Sequence, residues 1–286
     1  MSTILAAGWL RKRSQGARTQ ALKYTVGFLN EKHLPLVMTL QEIIIQRLQR
    51  PDLLQPFPCD FMKQHMGHQG VVLGVFVEHR LAAFRNIYFP ASGDKEWNLG
   101  RDLGLSEEDL TKVANLQMVC VHPDYRGNGL ALKMNQVSLG LLRERGFHRH
   151  ICATVSPYNV WNLPVLLASG FRVVALKSKY GGKLRYIVYQ DLQRPFLFDD
   201  NSAFEVQLDD FNTQKKWLDA GFYGVALDKR ENKPGEAFLS GFDLVLKQKK
   251  NKKPLTLRGP WPTVGAGSYP AMAWRPAAPA LIPSIA

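Results

Sequence analysis

Apolar and polar positions along the 286 residues switch between a period of two and a period near 3.6 many times. Tyr24 to Phe28 reads as a first strand. Residues 34 to 48 carry apolar side chains at helical spacing and stop before Pro51, which a helix cannot run through. A loop follows, then a short helix over 60 to 66. Val71 to Val77 and Leu81 to Phe89 flank Glu78-His79-Arg80 and predict a hairpin. A polar loop containing Trp97 leads to a helix capped by Ser106, with Glu107, Glu108 and Asp109 in its first turn. Strand 115 to 121, helix Leu130 to Arg145 and strand 151 to 156 come next. Pro157-Tyr158-Asn159 opens a short helix closed by Ser169-Gly170-Phe171, and Tyr180-Gly181-Gly182 turns into a last strand ending at Tyr189. The order β-α-α-β-β-α-β-α-β-α-β predicts an α/β fold. Its central sheet is mixed, antiparallel giving way to parallel, with helices on both faces.

Residues 196 to 246 add strand 204 to 208, a helix after Asp209-Asp210 that closes at Gly221, and strands 223 to 227 and 242 to 246. That piece is too short to support much core of its own, so it is expected to pack on the main domain or to form a dimer contact. Four segments follow: a basic flexible leader over 1–22, a main domain over 23–195, a small C-terminal α/β extension over 196–246, and a disordered Pro/Gly/Ala-rich basic tail over 247–286.

Charge sharpens this division. The net charge is +13. Residues 247–286 hold seven lysines and arginines without an acid, and residues 1–22 hold four. The stretch between them carries only +2. A solvated tail is therefore the plainer reading of the basic ends, with an anionic polymer or surface as the alternative. No run approaches 18 apolar residues, so no transmembrane helix is expected. The first 21 residues have the composition of a transit peptide and equally of a disordered leader, which leaves the cytoplasm as the default location. Cys59, Cys120 and Cys152 are odd in number and widely spaced, which argues against disulfides and against a zinc site.

The candidate chemistry lies in Val119-Cys120-Val121-His122-Pro123-Asp124-Tyr125-Arg126-Gly127-Asn128-Gly129-Leu130-Ala131. A buried strand ends at a proline, a glycine loop follows, and a helix begins. Such a helix start presents unpaired N–H groups and the positive end of a dipole to an anion. Glycines let a pyrophosphate approach the backbone, and Arg126 adds a cationic fork. A dinucleotide fingerprint fails because Leu132 stands where its third glycine or alanine belongs, and a P-loop lacks its Gly-Lys-Ser/Thr.

Arg126-x-x-Gly129-x-Ala131 resembles the pyrophosphate loop of the GNAT superfamily of acetyl-CoA-dependent N-acetyltransferases. Asn159, its spacing to Gly170-Phe171, and the Tyr180-Gly181-Gly182 turn before a last strand resemble later parts of that domain, in the right order over about residues 23 to 193. The resemblance implies acetyl transfer from acetyl-CoA to a primary amine, with no metal. It implies that the backbones of Val119, Cys120 and Val121 pair with the pantetheine arm of the cofactor. Arg126, Gly127, Asn128, Gly129, Leu130 and Ala131 would bind the pyrophosphate. Asn159 would bond the arm, although a helix N-cap explains it too.

The catalytic acid and base do not carry over. Leu166 stands where many members have a tyrosine, and Asn115 and Gln117 where many have a glutamate. Glu96 and Asp102 remain as candidate bases, Tyr158 and His122 as candidate acids, each with a plainer reading as a loop or turn residue. Two other functions stay open. One is an acyl-CoA sensor without turnover. The other is nucleic-acid binding by the basic ends, against which the near-neutral body counts.

Overall fold

The structure is a computed structural model that describes residues 3–11, 21–230 and 238–249. Met1–Asn251 form one compact unit, and Lys252–Ala286 lie outside the described residues. The tail expected over 247–286 is therefore described only for its first three residues.

In chain order the elements are β1 (Ile4–Arg11), β2 (Ala21–Leu29), α1 (Leu34–Gln46), α2 (Cys59–His65), β3 (Gly70–Val77), β4 (Arg80–Tyr88), α3 (Glu107–Leu110) and β5 (Val113–Val121). Then come α4 (Leu130–Arg145), β6 (His150–Val155), α5 (Leu163–Ala168), β7 (Arg172–Lys179) and β8 (Lys183–Asp191). The extension supplies β9 (Phe204–Gln207), α6 (Phe211–Asp219), β10 (Phe222–Lys229) and β11 (Phe242–Gln248). All eleven strands join one sheet in the order β1-β2-β3-β4-β5-β6-β8-β7-β10-β11-β9.

Local chemistry accounts for most boundaries. In α1 the buried Val37, Leu40, Gln41 and Ile44 follow the helical repeat. Ser106 caps α3 by accepting the Asp109 N–H, and Asp210 caps α6 by accepting that of Thr213. Gly146 closes α4 at φ 68°, a conformation that costs most side chains energy. The sheet is clothed on both faces. Leu130, Met134, Leu139 and Leu142 of α4 and Leu163, Leu166 and Leu167 of α5 share one core with Leu73 and Val75 of β3, Val173 of β7 and Val188 of β8. On the opposite face Val37, Leu40 and Ile44 of α1 and Met62 of α2 pack with Val72 and Phe84.

Three expectations need correction. Ile4–Arg11, assigned to a flexible leader, forms edge strand β1 against β2. Only Leu10 of this strand is buried, so its sequence carries almost no alternation to read. Arg172–Lys179 forms β7, a strand absent from the expected order, antiparallel to β8 across the Tyr180-Gly181-Gly182 turn. A hairpin turn needs a strand on each side, and Val173-Val174-Ala175-Leu176 supplied that signal. The helix expected to open at Pro157-Tyr158-Asn159 begins only at Leu163, with Asn162 as its N-cap.

The extension continues the main sheet, since Gly224 of β10 pairs with Val173 of β7. A Cβ on Gly224 would lie 2.8 Å from the Val173 Cβ, so this junction admits only glycine without movement. No helix among the described residues is long and apolar enough to cross a membrane.

Candidate active site

Every neighbouring strand pair is antiparallel except β5 and β6. Those two are parallel and pair only at Val113↔His150, Ala114↔Ile151 and Asn115↔Cys152. Past that point β5 stays with β4, through Arg85↔Val119, Phe84↔Cys120 and Ala83↔Val121. β6 stays with β8 up to Val155↔Tyr186. The sheet therefore splits, and a cleft of about 750 Å³ lies along the split. The edge of β5 over residues 116–121 loses its ladder partner there, so it can receive an extended ligand as an added strand.

The glycine loop continues this cleft. Pro123–Tyr125 form a single 3-10 turn, Gly127 and Gly129 take φ of 80° and 68°, and the 16-residue α4 starts. A Cβ built on Gly129 would meet nothing within 4 Å, so the space outside the loop is open. Of the ten residues expected to hold the cofactor, nine line the cleft: Val119, Cys120, Val121, Arg126, Gly127, Gly129, Leu130, Ala131 and Asn159. Asn128 does not. Its Oδ1 accepts the Arg11 N–H at 2.7 Å, and its Nδ2 donates to the Arg11 carbonyl at 2.8 Å and to Tyr125 O at 2.9 Å. The side chain thus ties the loop to β1, a strand the sequence reading did not contain.

Within the cleft Arg126 donates from Nε to the Val121 carbonyl at 3.3 Å. Burial lowers its pKa, and the like charge of Arg47, which also lines the cleft, adds to the fall. Two cations held close together in this way favour an anion between them. Burial pushes the Cys120 thiol up to about 12, which keeps it protonated and leaves its backbone as the useful part. Asn159 accepts the Asn162 N–H on Oδ1 at 3.0 Å, shaping the turn before α5. Its amide Nδ2 has no acceptor among the described residues.

None of the candidate acids and bases lines the cleft. Asp102 is held by Lys177 and Lys179 at 3.2 and 2.9 Å. Glu96 is exposed. His122 accepts the Asp124 N–H within its own turn at 3.3 Å. Tyr158 lies in a neighbouring cavity, with the Arg50 guanidinium 3.7 Å from its ring centroid. Leu166 is 1% exposed, a core residue of α5. Gln117 does line the cleft, where its Oε1 accepts from Asn86 Nδ2 at 3.2 Å.

The structure adds residues that the sequence reading passed over. Tyr180 lines the cleft with its hydroxyl 3.3 Å from Thr154 Oγ1 on β6 and its ring stacked on Trp97 at 5.0 Å. It takes φ 53°, a strained conformation for a bulky residue. Burial raises its pKa, so the phenol keeps its proton at neutral pH. Ser156, at the end of β6, is buried with an Oγ that has no partner among the described residues. Arg185 donates to the Asp52 carbonyl at 2.6 Å, linking β8 to the segment after α1. Arg47, Arg126 and Arg185 line the cleft, and among the described residues no Asp, Glu, His or Lys does.

Residues 45–171 match the model of the acetyltransferase (GNAT) family. The chain carries a GNAT acetyltransferase domain. The match runs from the end of α1 through the glycine loop to Phe171, and leaves out the hairpin that bears Tyr180 and the whole extension. Solved structures with a similar fold include the ribosomal-protein-S18-alanine N-acetyltransferase from Escherichia coli (17% identity, 58% of this chain and 91% of that one, TM-score 0.43). Another is yncA, a putative acetyltransferase from Salmonella typhimurium solved with its cofactor acetyl-CoA (16%, 59% and 94%, 0.42). A third is a putative arylalkylamine N-acetyltransferase 7 from the yellow fever mosquito (14%, 67% and 95%, 0.47). None of the curated proteins matches the sequence.

Proposed function

We propose that this GNAT domain moves an acetyl group from acetyl-CoA to a primary amine. The observation that carries the reading is the continuity of the split between β5 and β6 with a cationic glycine loop at a helix start. An extended arm ending in a diphosphate fits that shape. The arm would pair with the free edge of Val119, Cys120 and Val121. The diphosphate would meet the N–H groups of residues 127–131 and the guanidinium of Arg126.

In the reaction the amine lone pair attacks the thioester carbonyl, a C–N bond forms, the nitrogen gives up a proton to water, the C–S bond breaks, and the thiolate takes up a proton. A β5 N–H aimed at the thioester oxygen would stabilise the oxyanion as it develops. The attacking ammonium must first lose a proton. Among the described residues the lining holds no carboxylate or imidazole, so we assign the proton to water in the cleft, helped by desolvation that lowers the pKa of the amine. Tyr180 is the protonated group we assign to the leaving thiolate. It comes from the β7–β8 hairpin, lines the cleft, and has its hydroxyl hydrogen-bonded to Thr154 Oγ1. Three arginines without an acid also disfavour a polycationic acceptor and favour an amine that is otherwise neutral or anionic.

Acetyl-CoA should raise the melting temperature by mass action, by about 2.7 kcal/mol at 100 times its dissociation constant. An unmoved transition at millimolar acetyl-CoA would overturn the reading. The missing titratable base favours one rival, an acyl-CoA sensor that does not turn over. Release of free thiol in the presence of neutral amines separates the two, because a sensor binds and releases none.

A further inference from the structure

A second cavity of about 410 Å³ adjoins the cleft and shares Gln49, Leu53 and Trp161 with it. Its walls come from two parts of the chain. Arg50, Tyr158 and Trp161 belong to the family-matched segment, whereas Asp209, Phe211 and Phe238 belong to the extension. Four of these six are aromatic. Tyr158 and Phe211 meet edge to face at 5.8 Å, and Trp161 and Phe238 stack at 5.8 Å with 25° between their planes. Trp161 and Phe238 are 62% and 55% exposed, large rings left in water in this cavity, and Trp161 also lines the cleft. Arg50 already covers one face of Tyr158 as a flat cation, which shows that the site accepts planar delocalised groups face to face. Asp209 places a carboxylate at the same wall, with Oδ2 accepting from Ser240 Oγ.

We infer that this cavity binds the adenine ring of the CoA cosubstrate, stacked on Trp161 and Phe238, with Asp209 accepting from the exocyclic amine. The inference rests on the acetyl-CoA reading above. Three features favour a purine over other occupants. The site is continuous with the cleft on the side of Trp161, two residues past the Asn159 assigned to the pantetheine arm. Stacked aromatic walls suit a flat heterocycle, because every base has a π face. The single acid matches a ring that donates from an amino group, and it would repel the phosphates, which remain with Arg126 and Arg47. The extension then completes the cosubstrate site instead of merely lengthening the sheet.

The test compares two ligands by calorimetry on the full chain: CoA, and 4′-phosphopantetheine, which has the arm without the adenosine. The native chain should bind CoA at least tenfold more tightly. Trp161→Ala and Phe238→Ala should each weaken CoA by about tenfold, as loss of one base–aromatic stack does, and leave 4′-phosphopantetheine within twofold. Both rings are exposed, so neither change should move the melting temperature, and that is measured alongside. Equal weakening of both ligands, or no weakening of CoA, would overturn the subsite. A rise confined to the KM of the amine would do so too, by giving the cavity to the acceptor. A native chain that binds neither ligand would instead overturn the acyl-transfer reading itself.

Discussion

At the residue scale, one glycine and two tyrosines carry the sharpest consequences. Gly129 is the N-cap of α4 at φ 68°, with open space where a Cβ would stand. Gly129→Ala should therefore cost about 1 kcal/mol from backbone strain alone. Gly129→Glu should cost about the same in stability, yet abolish CoA binding, because its carboxylate enters the anion's space. Retained CoA affinity in Gly129→Glu, measured by calorimetry, would disprove the loop assignment. Tyr180 and Tyr158 give a paired test. Tyr180→Phe should lower kcat by about 10²-fold, a typical size for a lost general acid, with CoA affinity and melting temperature unchanged. Tyr158→Phe should cost less than about threefold in kcat, since that ring lies outside the cleft beneath Arg50. The reverse ranking would move the proton donor to Tyr158.

Among the elements, the position of the last strand changes where the chain can be shortened. The sequence suggested a tail beginning at residue 247, but Lys247 and Gln248 belong to β11 and pair with Tyr223 and Phe222. Lys247 also meets Asp200 at 2.8 Å, and the Gln248 N–H donates to Ser202 Oγ at 2.8 Å. A chain ended at Leu246 should accordingly melt several degrees below one ended at Asn251, on the order of 2 kcal/mol for the lost ladder bonds and ion pair. Equal melting temperatures in a thermal scan would show that β11 needs nothing past Leu246. Edge strand β1 has a comparable link to function. It is fastened to the glycine loop before α4 by two bonds between Arg11 and Asn128. Both ends of the first unit thus contribute strands to a sheet whose central split is the cleft.

Over the whole molecule, acid should weaken the fold before it reaches the carboxylates. His65 is buried between Phe61 and Tyr88, with Nδ1 taken by Asn86 at 2.7 Å. His148 is buried against Phe89. Burial lowers both pKa values from 6.5 to about 4. A histidine kept neutral in the fold but free to protonate when unfolded stabilises above pH 6.5. That stability is lost as pH falls toward 4, by up to about 3 kcal/mol per residue. The melting temperature should then fall steadily from pH 7 to pH 4.5, and His148→Phe should make the fall shallower. A flat profile over that window would contradict the burial of both rings. The net charge of +13 works in the same direction, since protonation adds to a chain already repelling itself.

Sequence by itself determined what depends on local chemistry. Capping at Ser106 and Asp210, the periodic face of α1, the hairpin of β3 and β4, and the glycine loop before α4 were all legible. Each is set by residues within a few positions of one another. Nine of the ten expected cofactor residues line one cleft because that strand–loop–helix segment is itself local. Tertiary structure decided whatever depends on a distant partner. Asn128 turns to β1 because Arg11, 117 residues away, offers a matching backbone pair. Tyr158 and Tyr180 could not be ranked from sequence, since only the pairing of β6 with β8 brings the turn that bears Tyr180 to Thr154. The cleft itself is a failure of pairing between β5 and β6. A strand's sequence fixes its own pleat and apolar face, but not how far along its edge a neighbour will stay.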